Sequence, residues 1–215
     1  MNTDRPLIQL SRRGVRVDLQ AGDLERLQAD WRRQHFIRLP QLFDAELVAL
    51  VQAGARRGPW EINVHPYSGT EQVLNAPSLI GMIDFQFNTP ALLRLAESVS
   101  GCGHIGAFFG RIYRLTPGTD EGHDWHGDLR AGRRVAVSVN LSEGVFEGGE
   151  LQLRATADER PLGAYANTGL GDCVLFRLGT DVEHRVLPVT GAFARQAYAG
   201  WFLSEPEYAS TLKRG

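Results

Sequence analysis

Residues 122–128, which read GHDWHGD, carry the clearest chemical content of the chain. Within them, His126 and Asp128 are two positions apart, and on an extended chain such side chains point to the same side. An imidazole and a carboxylate placed in this way can bind one metal ion together. A His-x-Asp tripeptide also arises by chance, so by itself it is a weak sign of a ligand pair.

A third metal ligand has to come from elsewhere, and His184 is the best candidate. It lies at the edge of an apolar, strand-like segment, 58 residues after His126 (184 − 126). Two histidines and one carboxylate on one face of a metal leave other coordination positions open, which is typical of non-haem iron(II) oxygenases. The same three donors also suit catalytic zinc, so the ligands alone leave both metals open.

The residues that follow extend the pattern in a fixed order. They include HGD at 126–128, VNL at 139–141, GGEL at 148–151, GDCVLF at 171–176, His184, VLPV at 186–189, Gly191, Arg195 and WF at 201–202. In order and spacing this series resembles the core of the prolyl-4-hydroxylase-like members of the Fe(II)/2-oxoglutarate-dependent oxygenase superfamily. The resemblance covers roughly residues 105–203.

The resemblance implies a mainly β fold, with N-terminal helices and a double-stranded β-helix (jelly-roll, cupin-like) core. It implies that His126, Asp128 and His184 bind Fe(II), and that Arg195 binds the distal carboxylate of the cosubstrate 2-oxoglutarate. The planar fork of an arginine suits such a carboxylate. Tyr113 is a second candidate contact for 2-oxoglutarate, with a core position as the alternative. Dioxygen is the third reactant, and ascorbate is an expected stimulant.

Four further residues are predicted near the pocket. Trp201 follows Arg195 by six residues (201 − 195), so both side chains point to the same side of one strand. The other three are Asn140, Trp125 and Arg130. Packing alone would also explain Trp125, and exposure to solvent would also explain Arg130.

As a function, the resemblance implies a 2-oxoglutarate-dependent dioxygenase that hydroxylates an unactivated C–H bond. The predicted substrate is a small metabolite or an amino-acid-like molecule, and the alternative is a peptidyl, prolyl-type hydroxylase acting on a protein. Asp128 favours hydroxylation over halogenation, because similar halogenases carry a small residue there. Two alternatives come from other classes: a zinc hydrolase, which gives Arg195 and Trp201 no role, and a non-catalytic jelly-roll binding protein.

The chain pattern also outlines the elements that position these residues. The first half is predicted to be mainly helical, with helices starting near the caps Asp23 and Asp44, a third over residues 91–98 and an early strand at 36–40. Residues 58–75 are predicted to be a loop at the pocket. After residue 103, apolar segments between glycine-rich turns predict strands at 104–115, 134–141, 150–154, 172–177, 184–189 and 195–203.

Size and charge limit the remaining possibilities. The 215 residues, 43% of them hydrophobic, predict one domain over 1–215, with helical support and pocket loops at 1–102 and the β-helix core at 103–204. A net charge of −2 argues against a nucleic-acid partner. Without a signal peptide or an apolar run near the ~20 residues of a membrane helix, we predict a cytoplasmic protein without a membrane partner. The oligomeric state cannot be predicted.

Overall fold

The structure, a computed structural model, describes residues 5–66, 68–130 and 132–205. Within these ranges the chain alternates short helical and extended segments in its first half and is extended in its second half. The helices are α1 (Asp23–Gln34), α2 (Ala45–Arg57), α3 (Pro77–Phe87) and α4 (Pro90–Ser100). The strands are β1 (Ile8–Ser11), β2 (Gly14–Val17), β3 (Phe36–Leu39), β4 (Trp60–His65), β5 (Gly69–Leu74), β6 (Ala107–Leu115), β7 (Gly122–His126), β8 (Arg133–Asn140), β9 (Glu147–Gly148), β10 (Leu151–Ala155), β11 (Pro161–Tyr165), β12 (Cys173–Arg177), β13 (Val182–Val186), β14 (Val189–Thr190) and β15 (Arg195–Leu203).

Most of the strands form one large, nearly closed antiparallel sheet. Its order is β11-β10-β13-β7-β5-β6-β15-β8-β12-β3, with β4 paired to β5. This is the predicted double-stranded β-helix. The first half of the chain contributes β3, β4 and β5 to the same sheet, so residues 1–102 do more than support it. That residues 1–215 form one domain stays a prediction.

Alternate residues of β15 face different layers of the fold. Tyr198 and Phe202 are buried in the apolar core between the sheet and the helices, where Phe87 of α3 also packs. Arg195 and Trp201 have the opposite parity and face the interior of the β-helix. The period of two along a strand therefore separates a packing face from a face that is free to do chemistry.

The helix predictions are confirmed with one adjustment and one addition. Asp44 caps α2, since its carboxylate accepts a hydrogen bond from the Leu47 amide at 2.7 Å. The residue before α1 is Gly22, so Asp23 is the first residue of that helix and not its cap. The helix predicted over 91–98 is α4, and α3 was not predicted.

The prediction of a loop at residues 58–75 was wrong, because β4 and β5 form a hairpin there that joins the main sheet. The physical reason lies in an inverted pattern of burial. Ile62 and Val64 are 74% and 66% exposed, whereas Glu71 is fully buried. An apolar-out, polar-in strand does not show the pattern by which half-buried strands are recognised. The β1–β2 hairpin was also missed.

Among the described residues, the helices are all too short or too polar to cross a membrane.

Candidate metal and cosubstrate site

The structure brings the three predicted metal ligands together on neighbouring strands. His126 ends β7 and is the register partner of His184 on β13, while Asp128 lies two residues beyond β7. One ligand atom from each residue lies within 4.8 Å of the others. Asp128 Oδ2 is 3.7 Å from His184 Nε2. Three donors at this separation can share one ion.

Hydrogen bonds orient two of these donors. The ring of His126 is fixed by a contact of 2.6 Å between its Nδ1 and the Asp124 carbonyl oxygen, which leaves Nε2 for a metal. Asp128 is fixed on both oxygens. Its Oδ2 accepts a hydrogen bond from the indole Nε1 of Trp201 at 2.9 Å, and its Oδ1 lies 3.4 Å from Arg133 Nη1.

The surroundings also favour the protonation states that a metal requires. Burial, together with the nearby His126, lowers the pKa of His184 to about 3, so its imidazole is neutral at pH 7. Burial acts to raise the pKa of Asp128, but its electrostatic interactions with the two imidazoles and Arg133, together with the hydrogen bond from Trp201, outweigh it and hold that pKa below its ordinary value. A neutral imidazole and an ionised carboxylate are the forms that bind metal.

The candidate residues for 2-oxoglutarate meet deeper in the same interior. Arg195 is 3% exposed. Its Nη1 donates a hydrogen bond to the Tyr113 hydroxyl, and its Nη2 donates one to Ser138 Oγ at 3.2 Å. Within the described residues, no carboxylate lies within the 4.0 Å ion-pair distance of this guanidinium. A buried cation with only neutral partners is uncommon and calls for an anionic ligand.

The glycine pair at 148–149 makes room for this arginine. Gly149 has φ of +62°, and a Cβ atom there would lie 2.9 Å from Arg195 Cδ. Gly148 has φ of +68°, and a Cβ atom there would lie 2.3 Å from the Pro188 carbonyl oxygen. Both positions therefore require glycine, for backbone conformation and for space.

Both ends of the site open into one cavity of about 270 Å³. Trp201 and Arg130 are among the residues that line it, and Trp201 lies on the same side of β15 as Arg195. Leu151, Phe176 and Val186 form part of an apolar wall.

Two predicted pocket residues lie outside the cavity lining. Trp125 neighbours His126 on a strand, so it points to the other face, where its ring lies between the guanidinium groups of Arg154 and Arg185 at 4.4 and 4.6 Å. Asn140 is buried, and its amide is used by the backbone: it donates to the Gly169 carbonyl at 3.1 Å and accepts from the Ser142 amide at 3.0 Å. We correct both assignments.

A second group of potential metal donors, His65, Glu71 and His123, lies beside the first. Arg111 already bonds to both oxygens of Glu71, through Nε at 2.7 Å and Nη2 at 3.0 Å. Since this cation occupies the carboxylate, the group is better described as an ion pair with two attached imidazoles. The burial of Glu71 acts to raise its pKa, but hydrogen bonds from His123 and His65 and the charge of Arg111 hold that pKa far below its ordinary value.

Sequence reasoning missed Arg111, Ser138 and Arg133 as lining residues. For Arg111 a signal existed, because it lies two residues before Tyr113 on the same strand and therefore on the same face. The signal for Ser138 was weaker. It lies two residues before Asn140 on the same strand, and therefore on the same face as that predicted pocket residue. Glu71 had no such signal, since its segment was not recognised as a strand.

Part of the chain is similar to a known protein family. Residues 110–203 match the family model of the 2OG-Fe(II) oxygenase superfamily, a region that includes the three metal donors, Arg195 and Tyr113. No curated protein matches the chain significantly.

Several solved structures share the fold, among them the following three. A prolyl-4-hydroxylase from Pseudomonas putida is 21% identical, with a TM-score of 0.64, over 85% of this chain and 100% of that one. A prolyl hydroxylase from Trichoplax adhaerens, in complex with a hypoxia inducible factor oxygen degradation domain peptide fragment, is 16% identical, with a TM-score of 0.65, over 90% of this chain and 97% of that one. The epimerase SnoN, in complex with Fe3+, alpha ketoglutarate and nogalamycin RO, is 18% identical, with a TM-score of 0.62, over 90% of each chain. At these identities the likeness concerns the fold alone.

Proposed function

We propose that the chain, whose residues 110–203 match the 2OG-Fe(II) oxygenase superfamily model, is an Fe(II)- and 2-oxoglutarate-dependent dioxygenase. In this proposal it hydroxylates an unactivated C–H bond of a small metabolite or an amino-acid-like substrate. His126, Asp128 and His184 hold the iron. Arg195 and Tyr113 hold 2-oxoglutarate.

The iron assignment is supported by the chemistry of the donors. Two neutral imidazoles and one carboxylate, with ligand atoms within 4.8 Å of one another, form the 2-His-1-carboxylate set that suits non-haem iron(II). Both oxygens of Asp128 have protein contacts that fix its orientation, and such outer contacts are typical of functional metal sites. The epimerase SnoN was solved with Fe3+ and alpha ketoglutarate in the same fold.

The observation that carries the proposal is the buried Arg195 with neutral partners only. A dicarboxylate cosubstrate that chelates the metal at one end and meets Arg195 at the other would supply the missing negative charge. Tyr113 Oη and Ser138 Oγ flank the guanidinium and can add hydrogen bonds to the same carboxylate. A zinc hydrolase would leave this buried charge unexplained.

Iron, with 2-oxoglutarate and dioxygen, supplies the oxidising power that an unactivated C–H bond requires. The chain's own residues bind and orient the reactants. Trp201 and Arg133 keep the Asp128 carboxylate directed at the metal position, and the apolar side chains of Leu151, Phe176 and Val186 keep water out of the wall beside it. The neutral state of His184 keeps its lone pair available for the metal.

Cavity size favours a small substrate. At about 270 Å³ the cavity is just below the ~300–1,000 Å³ of typical ligand pockets, and 2-oxoglutarate has to share it. The second candidate is a peptidyl, prolyl-type hydroxylase, since two prolyl hydroxylases share the fold. A cytoplasmic location remains part of this proposal.

Succinate release tests the function. Purified protein with Fe(II), ascorbate and 2-oxoglutarate should bind the cosubstrate and release succinate slowly without a primary substrate. Small molecules and proline-containing peptides are then compared by the mass gain of one oxygen. Zinc binding together with a failure to bind 2-oxoglutarate would overturn the proposal.

A further inference from the structure

Arg111 lies in the wall of the cavity, and the proposed reaction gives it no role. Its guanidinium carbon lies 5.4 Å from the centre of the Tyr113 ring and 5.1 Å from the centre of the Trp201 ring. Tyr113 belongs to the cosubstrate end of the cavity and Trp201 to the metal end. Arg111 therefore lies between the two, along the part of the wall that a primary substrate would face.

The orientation of Arg111 is fixed from behind by Glu71. This carboxylate is fully buried and receives both Nε and Nη2 of the arginine. It also contacts His65 Nε2 at 2.9 Å and His123 Nε2 at 3.2 Å. Because Nε and Nη2 of Arg111 both bond to Glu71, its remaining nitrogen, Nη1, lies outside the ion pair. About 21% of the Arg111 side chain stays exposed, so the cavity can reach it.

The formal charges of the cavity lining favour an anion. Four guanidinium groups line the cavity against one carboxylate, that of Asp128; they are Arg111, Arg130, Arg133 and Arg195. In the proposed complex, Fe(II), Asp128, doubly charged 2-oxoglutarate and Arg195 sum to zero. Glu71 likewise neutralises Arg111. Arg133 contacts Asp128. The remaining formal charge of the lining, on Arg130, is positive, so a ligand bound there is stabilised by a negative group.

Space is available opposite Arg111. Its cross-strand partner on β15 is Ala199, whose small side chain lines the cavity. A small side chain next to a fixed guanidinium leaves room for a ligand group to approach it.

On this basis, and resting on the proposed function, we propose that Arg111 binds a carboxylate of the primary substrate. The substrate would then be a small carboxylic acid, such as an amino acid or an N-acylated amino acid with a free carboxyl group. A residue inside a peptide chain, where that carboxyl group is an amide, would lack the contact. Glu71 is a positioning residue, since it acts through Arg111.

Matched acids and amides test this inference. The full chain, loaded with Fe(II) and saturated with 2-oxoglutarate under nitrogen, is dialysed against a pool of N-acetyl-L-amino acids and against a pool of their carboxamides, and retention is read by mass spectrometry. We expect at least one acid to bind about 10- to 100-fold more tightly than its amide, as the loss of a hydrogen bond to a charged group predicts. Equal binding of the two forms, or no binding of any acid, overturns the proposal.

Variants then connect the preference to Arg111. Removing only the arginine would leave Glu71 buried without its cation, so the double variant Arg111→Gln with Glu71→Gln is used, beside Arg111→Lys. The acid should lose its advantage over the amide in the double variant and keep part of it in Arg111→Lys. Arg114→Gln is the control, because Arg114 lies on the same strand but bonds to Gln72 away from the cavity. An unchanged acid preference in the double variant overturns the assignment.

Retention of 2-oxoglutarate itself is measured first, in the same samples. Its failure would overturn the proposed function, whereas normal retention combined with no preference for acids would overturn only the role of Arg111.

Discussion

The indole Nε1 of Trp201 donates a hydrogen bond to Asp128 Oδ2 across 2.9 Å, which ties the last strand of the β-helix to the loop that follows β7. The guanidinium of Arg133 lies 3.7 Å from the centre of the same indole ring and also reaches the other oxygen of Asp128. The orientation of the proposed carboxylate ligand is therefore set by an aromatic residue 73 positions away in the chain.

We expect Trp201→Phe to weaken iron binding, because it removes this hydrogen bond and keeps most of the ring. Loss of an outer contact to a metal ligand costs about 10- to 100-fold in metal affinity. Competition with a chromophoric chelator under nitrogen measures it. Trp125→Phe is the matched control, since Trp125 contacts Arg154 and Arg185 outside the cavity. Equal affinities for the two variants would contradict the role of Trp201.

Asp128→Ala is expected to abolish hydroxylation and to weaken iron binding, since it removes one of three ligands. Product formation is read as the mass gain of one oxygen, and iron by the same chelator competition. Asp124→Ala is the control, because Asp124 is exposed and contacts His126 through its backbone carbonyl only. Retained hydroxylation in Asp128→Ala would remove this residue from the ligand set.

Arg195→Ala should mainly weaken 2-oxoglutarate. Truncating one partner of a buried, hydrogen-bonded charge pair costs roughly 2–5 kcal/mol. Calorimetric titration of 2-oxoglutarate into Fe(II)-loaded protein under nitrogen measures the loss. Arg185→Ala, which removes an arginine bonded to Gln152 outside the cavity, should leave the affinity unchanged. Normal affinity in Arg195→Ala would overturn the assignment.

Much of the β-helix could be predicted because its strands are apolar and separated by glycine turns. β8, β12 and β15 bury one face or both, so their residues appear as nearly continuous apolar segments. The β4–β5 hairpin could not be predicted in this way, because it directs Asn63, His65 and Glu71 inward and leaves Ile62 exposed. Strands that carry polar groups into a cavity invert the pattern on which the prediction depends.

In the candidate site, too, some features could be predicted from the sequence and others could not. The proposed metal donors and Arg195 follow motifs with fixed spacing, so their positions could be predicted. The contacts that orient them could not. The hydrogen bond from Trp201 to Asp128 and the ion pair of Arg111 with Glu71 join strands that are distant in sequence, and only the sheet order brings them together. Asn140 shows the opposite case. It lies on a suitable strand, but its side-chain amide hydrogen-bonds to the backbone and does not line the cavity.

The metal-free protein should become less stable as the pH is lowered, because of His184. Its pKa in the folded chain is about 3, against an ordinary value of 6.5. Between these values the unfolded chain binds a proton that the folded chain does not, so the free energy of unfolding decreases as the pH is lowered. At about 1.4 kcal/mol per pH unit, this residue accounts for roughly 2–3 kcal/mol between pH 7 and 4.5. Urea denaturation after chelator treatment measures this.

The variant His184→Gln isolates the effect. It cannot take up the proton in either state, so its stability should change less over the same pH range than that of the wild-type chain. His123 is also buried, and burial lowers its pKa, so part of the dependence should remain. His104→Gln is the control, because 78% of the His104 side chain is exposed. A wild-type pH dependence in His184→Gln would show that a buried, neutral His184 is not its source.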